Sequence, residues 1–524
     1  MTNHKNVGKS NKIGKNKKTK RLKKNKNVYN KIIEQPFIQM CENNFNDNPV
    51  NIIGRNAVVS IGSMISTINS KRLNEIDYIF LNSIKKKNTK STNQGRSGRC
   101  WMFSGLNMFR HFIITALNIS NFEFSETYLF FWDKFERANS YLNWFIDNPD
   151  AKIGDRSFDY MTSGSMGDGG WWNMFANLVN KYGIVPKNAM KETFQSGNSD
   201  DMNNILEEHL QACSNHMYKL LTKNKDSSKN SSKKDSSKEE LENVKQDCLK
   251  EVYNILVKFL GDPPKNFRIN CVDDSELSMA IAQMDPMMFK NMVVSHTVRA
   301  STGVLSDKNM DMNDFVVLCN VPRSFEYNKL YEINLTNNVY EGKNCQLLNL
   351  PMNEIVKYVT KSVMSGMPVW FAADVSKDFN PYHSTLDDQL VNNELVFGKT
   401  HPFEKGDRII FNNLSANHAM TIIGVNFDEN KKPVAWQVEN SWGYWDNETP
   451  GEDGFLYMSQ TWFEKYGMQV VIHKNHLSRR IIKMLDQKPH LFNPWESVVP
   501  SLRIKPVDAP TIYDKIALEK KNKN

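Results

Sequence analysis

Apolar residues Met102, Phe103, Leu106, Phe109, Ile113 and Leu117 recur at three- and four-residue intervals. That is the stripe of one helical face and predicts an amphipathic helix opening at Cys100. The same spacing runs through "NNILEEHLQACSNHMYKLL" (203–221) and "LENVKQDCLKEVYNILVKFLG" (241–261), with Gly261 and the Pro263–Pro264 pair ending the second helix. Between them, "KNKDSSKNSSKKDSSKEE" (223–240) carries mixed charge and much serine, and reads as a loop insertion. Further along, "PVWFAADV" (368–375), "HAMTIIGVNF" (418–427), "PVAWQVENS" (433–441) and Gly454–Met458 read as short strands. Helices come first and strands later, without internal repeats, which predicts an α+β fold.

At 524 residues the chain has room for two to four domains. No apolar run approaches the ~18 residues of a membrane span, so a soluble protein is expected. The polybasic N-terminus lacks the apolar segment of a signal peptide, which makes cytoplasm (or nucleus) the expected compartment. Seven cysteines, widely spaced and without a C-x-x-C pair, predict reduced thiols rather than a disulfide framework or zinc finger.

The net charge of +9 is uneven: residues 1–33 hold twelve Lys/Arg and no acid, so the remainder sums to −3. This tail is expected to be disordered. It could contact nucleic acid or an anionic membrane, or serve as a nuclear signal. No aromatic side chains interleave with its charge as base stacking would favour, so a merely solvated tail is the favoured reading.

Within "NQGRSGRCW" (93–101), Cys100 opens the predicted helix. A helix N-terminus stabilises a thiolate through its partial positive charge and free N–H groups. Position alone favours a buried, inert cysteine. His418 begins a strand whose edge could face a cleft, though a satisfied core histidine would look the same. Asn440 follows 22 positions later in "VENSWG" and could orient an imidazole, with Trp442 shielding that bond from water. Gln94 could donate to a developing oxyanion together with the Cys100 N–H. His473 and His476 have metal-like spacing but no third ligand converging in sequence. Each element is weak alone; the ordered set Gln, Cys–Trp, His, Asn–x–Trp–Gly is specific.

At these residues the sequence resembles the papain-fold cysteine peptidases, with Gln94, Cys100, His418 and Asn440 matching the oxyanion glutamine and the Cys–His–Asn triad. "SGRCW" stands where C-G-S-C-W is commoner, so the disulfide-forming first cysteine is missing. His418 lies 318 residues after Cys100, against ~130–150 in ordinary papains. The surplus points to the bleomycin hydrolase branch. "NQGRSGRCWMFSGLNMFR", "FEFSETYLFFWDKFERAN", "GDGGWWNMFANLVNKYGIVPK", "NHAMTIIGV" and "VENSWG" are all similar to it.

The resemblance implies a two-lobed papain-like core with helical and hook insertions, acting as a cysteine aminopeptidase on peptides without metal or cofactor. It implies a homohexameric ring whose sites face an internal channel. It places Gly169 and Gly170 along the substrate cleft, with Asp168 near that wall. It also puts the chain end in the cleft, where its carboxylate would restrict substrates to free N-termini; this sequence continues for 22 residues past "PWESVVPSL" (494–502). That departure keeps a papain-like endopeptidase open as an alternative, and a nucleic-acid-binding protein acting through the tail is an alternative of another class.

The expected organisation is a disordered tail (1–33), an N-terminal segment and helical lobe carrying Cys100 (34–205), and a helical or hook insertion (206–350). A β-rich lobe carrying His418 and Asn440 (351–480) and a C-terminal arm with its extension (481–524) follow.

Overall fold

The computed structural model describes residues 32–86, 89–227, 232–276, 278–303, 311–398, 401–443 and 454–505. Most of the basic tail and residues 506–524 of the C-terminal extension lie outside the described residues. The chain forms two compact units, residues 1–66 and 67–524. In the first, the Asn48 side chain accepts from the Val50 N–H and starts the Pro49–Ile61 helix, which follows the Gln35–Asn46 helix.

The second unit is built on a mixed twelve-stranded sheet. Its centre is six strands, each antiparallel to its neighbour: Phe315–Cys319, Gly467–His473, Val369–Ala373, His418–Phe427, Pro433–Glu439 and Phe455–Ser459. The four expected strands are all present, trimmed or shifted at their ends. Three strands from the region between the helices and His418 (Phe315–Cys319, Lys329–Ile333 and Cys345–Asn349) also join this sheet. The Gly467–His473 strand is buried along its whole length, so it shows no polar–apolar alternation to read.

The Cys100–Ala116 helix departs from the amphipathic reading: nearly all of it is buried, polar residues included. Its polar side chains are used as fasteners. Ser104 Oγ donates to the Met420 carbonyl at 2.6 Å, Asn107 Nδ2 donates to Thr92 Oγ1 at 3.0 Å, and the His111 imidazole donates to Glu439 at 2.6 Å. Arg110 forms a further ion pair with Glu439 at 3.1 Å. A buried carboxylate is tolerable only when paired in this way. The Trp370 indole N–H bonds the Trp101 carbonyl at 3.1 Å, fixing the helix start against the sheet.

The two later helices run Asp200–Ser227 and Ser232–Leu260, so the serine-rich stretch is mostly helical backbone rather than a long loop. Lys and Glu are good helix formers, and helices already packed along their arms propagate at little cost. Gly261, with φ +83°, ends the second helix as its position predicts. Cys213 and Cys248, expected to be free thiols, are joined to each other across these helices with Cα atoms 6.3 Å apart. A 35-residue separation gives no spacing signal; the facing of two helices brings them together. No described helix is long and apolar enough to cross a membrane.

Gly105 lies on the face of the Cys100 helix that meets Phe175, and a Cβ there would approach the ring to 2.7 Å. Gly105→Ala would gain helix propensity but overpack this contact, so a net loss of about 1–3 kcal/mol is expected. Chemical denaturation midpoints check it; unchanged stability would show that Phe175 has room to retreat.

Candidate active site

The 22-residue interval between His418 and Asn440 is one hairpin. The strand from His418 to Phe427 turns through Asp428–Lys432 and returns as Pro433–Glu439, with Thr421 opposite Glu439. Asn440 is thereby delivered to His418, and His418 Nε2 lies 2.7 Å from Asn440 Oδ1. The Ser441 N–H also donates to Oδ1 at 2.8 Å. Two donors on one atom identify it as the carbonyl oxygen, so Nε2 carries its proton. His418 Nδ1 is buried and has no hydrogen-bond partner among the described residues. The Trp442 ring packs on the imidazole, with centroids 4.4 Å apart.

Cys100 sits at the first turn of its helix, fully buried, where the backbone N–H groups of Ala419, Trp101 and Cys100 itself act on its sulfur. Ala419 directly follows His418, so the start of the His418 strand lies against the thiol. Burial dominates both groups. It pushes the Cys100 thiol up to about 12 despite those N–H groups. It pulls His418 down to about 4, against the bond to Asn440. Burial thus works against the charged form of each group, and the N–H groups at the sulfur and the bond to Asn440 work for it.

Gln94 belongs to a loop tied to the end of the Asn440 strand. Its N–H donates to the Ser441 carbonyl at 2.8 Å, and its Oε1 accepts from Ser441 Oγ at 2.7 Å. Its Nε2 donates to the Ser97 carbonyl at 2.6 Å, and the second Nε2 hydrogen makes no bond within the described residues. The turn in this loop is at Gly95, with φ +60°, where a Cβ would meet the Gly197 carbonyl at 2.6 Å. Gly98 is not left-handed; it contributes its N–H to Asp168 at 3.0 Å.

Asp168 is the node of this region. Besides Gly98 it accepts from Lys134 at 2.8 Å, from Asn203 at 2.7 Å and from Ser199, while its own carbonyl accepts the Trp101 indole N–H at 2.7 Å. These donors hold its carboxyl well below the usual carboxylate range in spite of burial. Burial also pulls the Lys134 ammonium down, in conflict with the pair's Coulombic gain. The carboxylate's four donors decide the outcome, and the pair is read as ionised. Gly169 lends its carbonyl to Arg137 at 2.9 Å, and a Cβ on Gly170 would lie 2.5 Å from the Trp101 indole. These two glycines therefore bring backbone close beside the cysteine segment.

Sequence reasoning missed Lys134 and the Arg99–Glu192 pair. Arg99, adjacent to Cys100, is fully buried, bonds Glu192 with both terminal nitrogens at 3.2 and 2.8 Å, and packs on Phe103 and Phe130. Its partner is 93 positions away, and no local pattern links them. At the other end of the chain, the Ser501 carbonyl accepts the Ala416 N–H at 2.8 Å and the Lys505 N–H donates to the Ala416 carbonyl at 3.2 Å. The C-terminal arm thus runs beside the segment leading into His418.

A helix-borne cysteine, a strand-borne histidine held by an asparagine, and a glutamine loop sewn to that asparagine's strand define the class of papain-like cysteine peptidases. Residues 32–499 match the Peptidase C1-like family model, and the chain belongs to that family. It is 31% identical over 452 residues to an aminopeptidase C of Listeria monocytogenes, covering 86% of this chain and 94% of the relative. It is 30% identical to the bleomycin hydrolase of Mus musculus, covering 86% and 94%. The crystal structure of PepW from Lactobacillus rhamnosis is similar at a TM-score of 0.79 and 28% identity, covering 89% of this chain and 98% of that one.

Asp168→Asn would strip the buried Lys134 ammonium of its charged partner, and a stability loss of about 3–5 kcal/mol is expected. Because the folded carboxyl is held below its unfolded value, the wild-type advantage is complete at neutral pH. It fades as pH falls from the ordinary carboxylate range toward the depressed folded value. Denaturation of both proteins at pH 7 and pH 3 checks this: the gap should narrow in acid.

Proposed function

We propose that the protein is a cysteine aminopeptidase that removes N-terminal residues from peptides through an acyl-enzyme on Cys100. The observation that carries this reading is the His418 ring, held through Nε2 by Asn440, with no partner for Nδ1 among the described residues, and followed by Ala419, whose N–H acts on the Cys100 sulfur. Attack of Sγ on the scissile carbonyl transfers the thiol proton to Nδ1. The imidazolium gives it to the leaving amine as the C–N bond breaks; the imidazole then takes a proton from water as the water oxygen adds to the acyl carbon, and the C–S bond breaks with return of that proton to Cys100 Sγ, releasing the acid. Asn440 keeps the ring in the tautomer this requires. Gln94, with its carbonyl anchored by Ser441, offers its remaining N–H to the oxyanion alongside the Cys100 amide. Gly169, Gly170 and Asp168 act on the cleft wall, and Trp442 shields the His418–Asn440 bond.

The names of the relatives favour aminopeptidase over endopeptidase action, and peptides with blocked N-termini discriminate the two. A homohexamer in the cytoplasm forms part of the same reading. Any nucleic-acid contact through residues 1–33 is secondary.

Cys100→Ala is expected to abolish hydrolysis of amino-acyl fluorogenic substrates. Gln94→Ala is expected to lower kcat by about 10²–10³-fold while leaving KM within a few-fold. Retained activity in purified Cys100→Ala would sink the assignment. For the pH profile, His418 must be neutral to accept the thiol proton, so kcat/KM should fall as pH drops toward about 4. This pair should impose no loss between pH 6 and 9. An acid limb centred near 6.5 would show instead an imidazole that is not desolvated.

A further inference from the structure

Away from the active site, three metal-ligating side chains converge on the two long helices. His209 and Cys213 stand four residues apart on the Asp200–Ser227 helix, a spacing that puts both on one face. Cys248 reaches them from the Ser232–Leu260 helix. Their ligand atoms all lie within 4.8 Å of one another. His209 Nε2 is 3.6 Å from Cys213 Sγ. In a tetrahedral zinc site, bonds of ~2.3 Å to sulfur and ~2.0 Å to nitrogen set the N···S edge at about 3.5 Å. The two sulfurs are buried and the imidazole is half-exposed, which leaves a side for a water ligand.

We propose that His209, Cys213 and Cys248 form a zinc-class metal site that becomes available when the Cys213–Cys248 disulfide is reduced. A thiol or phosphine reductant delivers two electrons, and with two protons the disulfide becomes two thiols. Zn²⁺ then displaces both protons to form two Zn–S bonds, His209 Nε2 gives the third protein ligand, and water the fourth. His209 Nε2, now 3.3 Å from the Cys248 carbonyl, exchanges that contact for the metal. Two thiolates and an imidazole suit a borderline-soft d¹⁰ cation and disfavour Mg²⁺ or Ca²⁺. Either state, disulfide or metal, cross-links the same two helices beside the serine-rich stretch that joins them.

The test uses the full-length protein with Cys100→Ser, which removes the active-site thiol as a competing ligand. It is reduced with a phosphine, freed of metal, and titrated anaerobically with Co²⁺. The expected result is a thiolate-to-cobalt charge-transfer band saturating at one equivalent per chain. The band should be lost when Cys213→Ser and Cys248→Ser are added. His209→Ala should weaken binding at least tenfold. Zn²⁺ should raise the thermal midpoint of the reduced protein and leave that of the non-reduced protein unchanged. Because the midpoint is read on protein with Cys213 and Cys248 intact, misfolding of the serine variants cannot hide the answer. No band after reduction, a band that survives loss of both cysteines, or an equal Zn²⁺ shift without reduction would overturn the site.

Discussion

A single buried carboxylate conditions the geometry around the cysteine. Asp168 is withdrawn from water yet ionised, and burial on that scale is sustainable only because four donors arrive from three segments of chain. One is the amide of Gly98, two residues before Cys100. Satisfying this charge therefore sets the path of the loop that feeds the Cys100 helix. The indole of Trp101, bonded to the Asp168 carbonyl, is seated by the same node. Gly170 then has no room for a side chain, because the indole already fills that space. The cysteine's position is thus a by-product of electrostatics solved a few ångströms away.

The opposite wall is set by backbone pairing. One hairpin fixes His418 and Asn440 together, and the loop of Gln94 is bonded onto the end of its second strand. The two walls meet through the buried Cys100 helix, whose polar residues fasten to the His418 strand and to Glu439. The alignment of nucleophile and base rests on a few hydrogen bonds between parts of the chain more than 300 residues apart.

Much of this was legible in the sequence where the signal is local. The helix start at Cys100, the strand beginning at His418 and the end of the helix at Gly261 follow from periodicity and punctuation. Gln94, Cys100, His418 and Asn440 could be singled out because each stands beside a feature with its own meaning. What escaped was non-local or two-sided. The Cys100 helix looked amphipathic because Arg110, His111 and Asn107 are polar, and nothing in their spacing says that Glu439 and Thr92 await them inside. Lys134 and Glu192 are ordinary helix and loop residues until Asp168 and Arg99 are set beside them. The Cys213–Cys248 bond depends on how two helices face each other. The depth at which Cys100 is buried was hidden for a related reason: the helix terminus is visible in sequence, and the burial that acts against it is not.

The burial of Cys100 also bears on how the protein withstands oxidants. Peroxide attacks thiolates that it can reach, and Cys100 is fully buried. Cys41, exposed on the Gln35–Asn46 helix, is the more accessible target. The resting molecule would then carry its nucleophile through an oxidative burst intact. Its vulnerability would rise only when the sulfur is uncovered, so damage would follow exposure of the site rather than elapsed time.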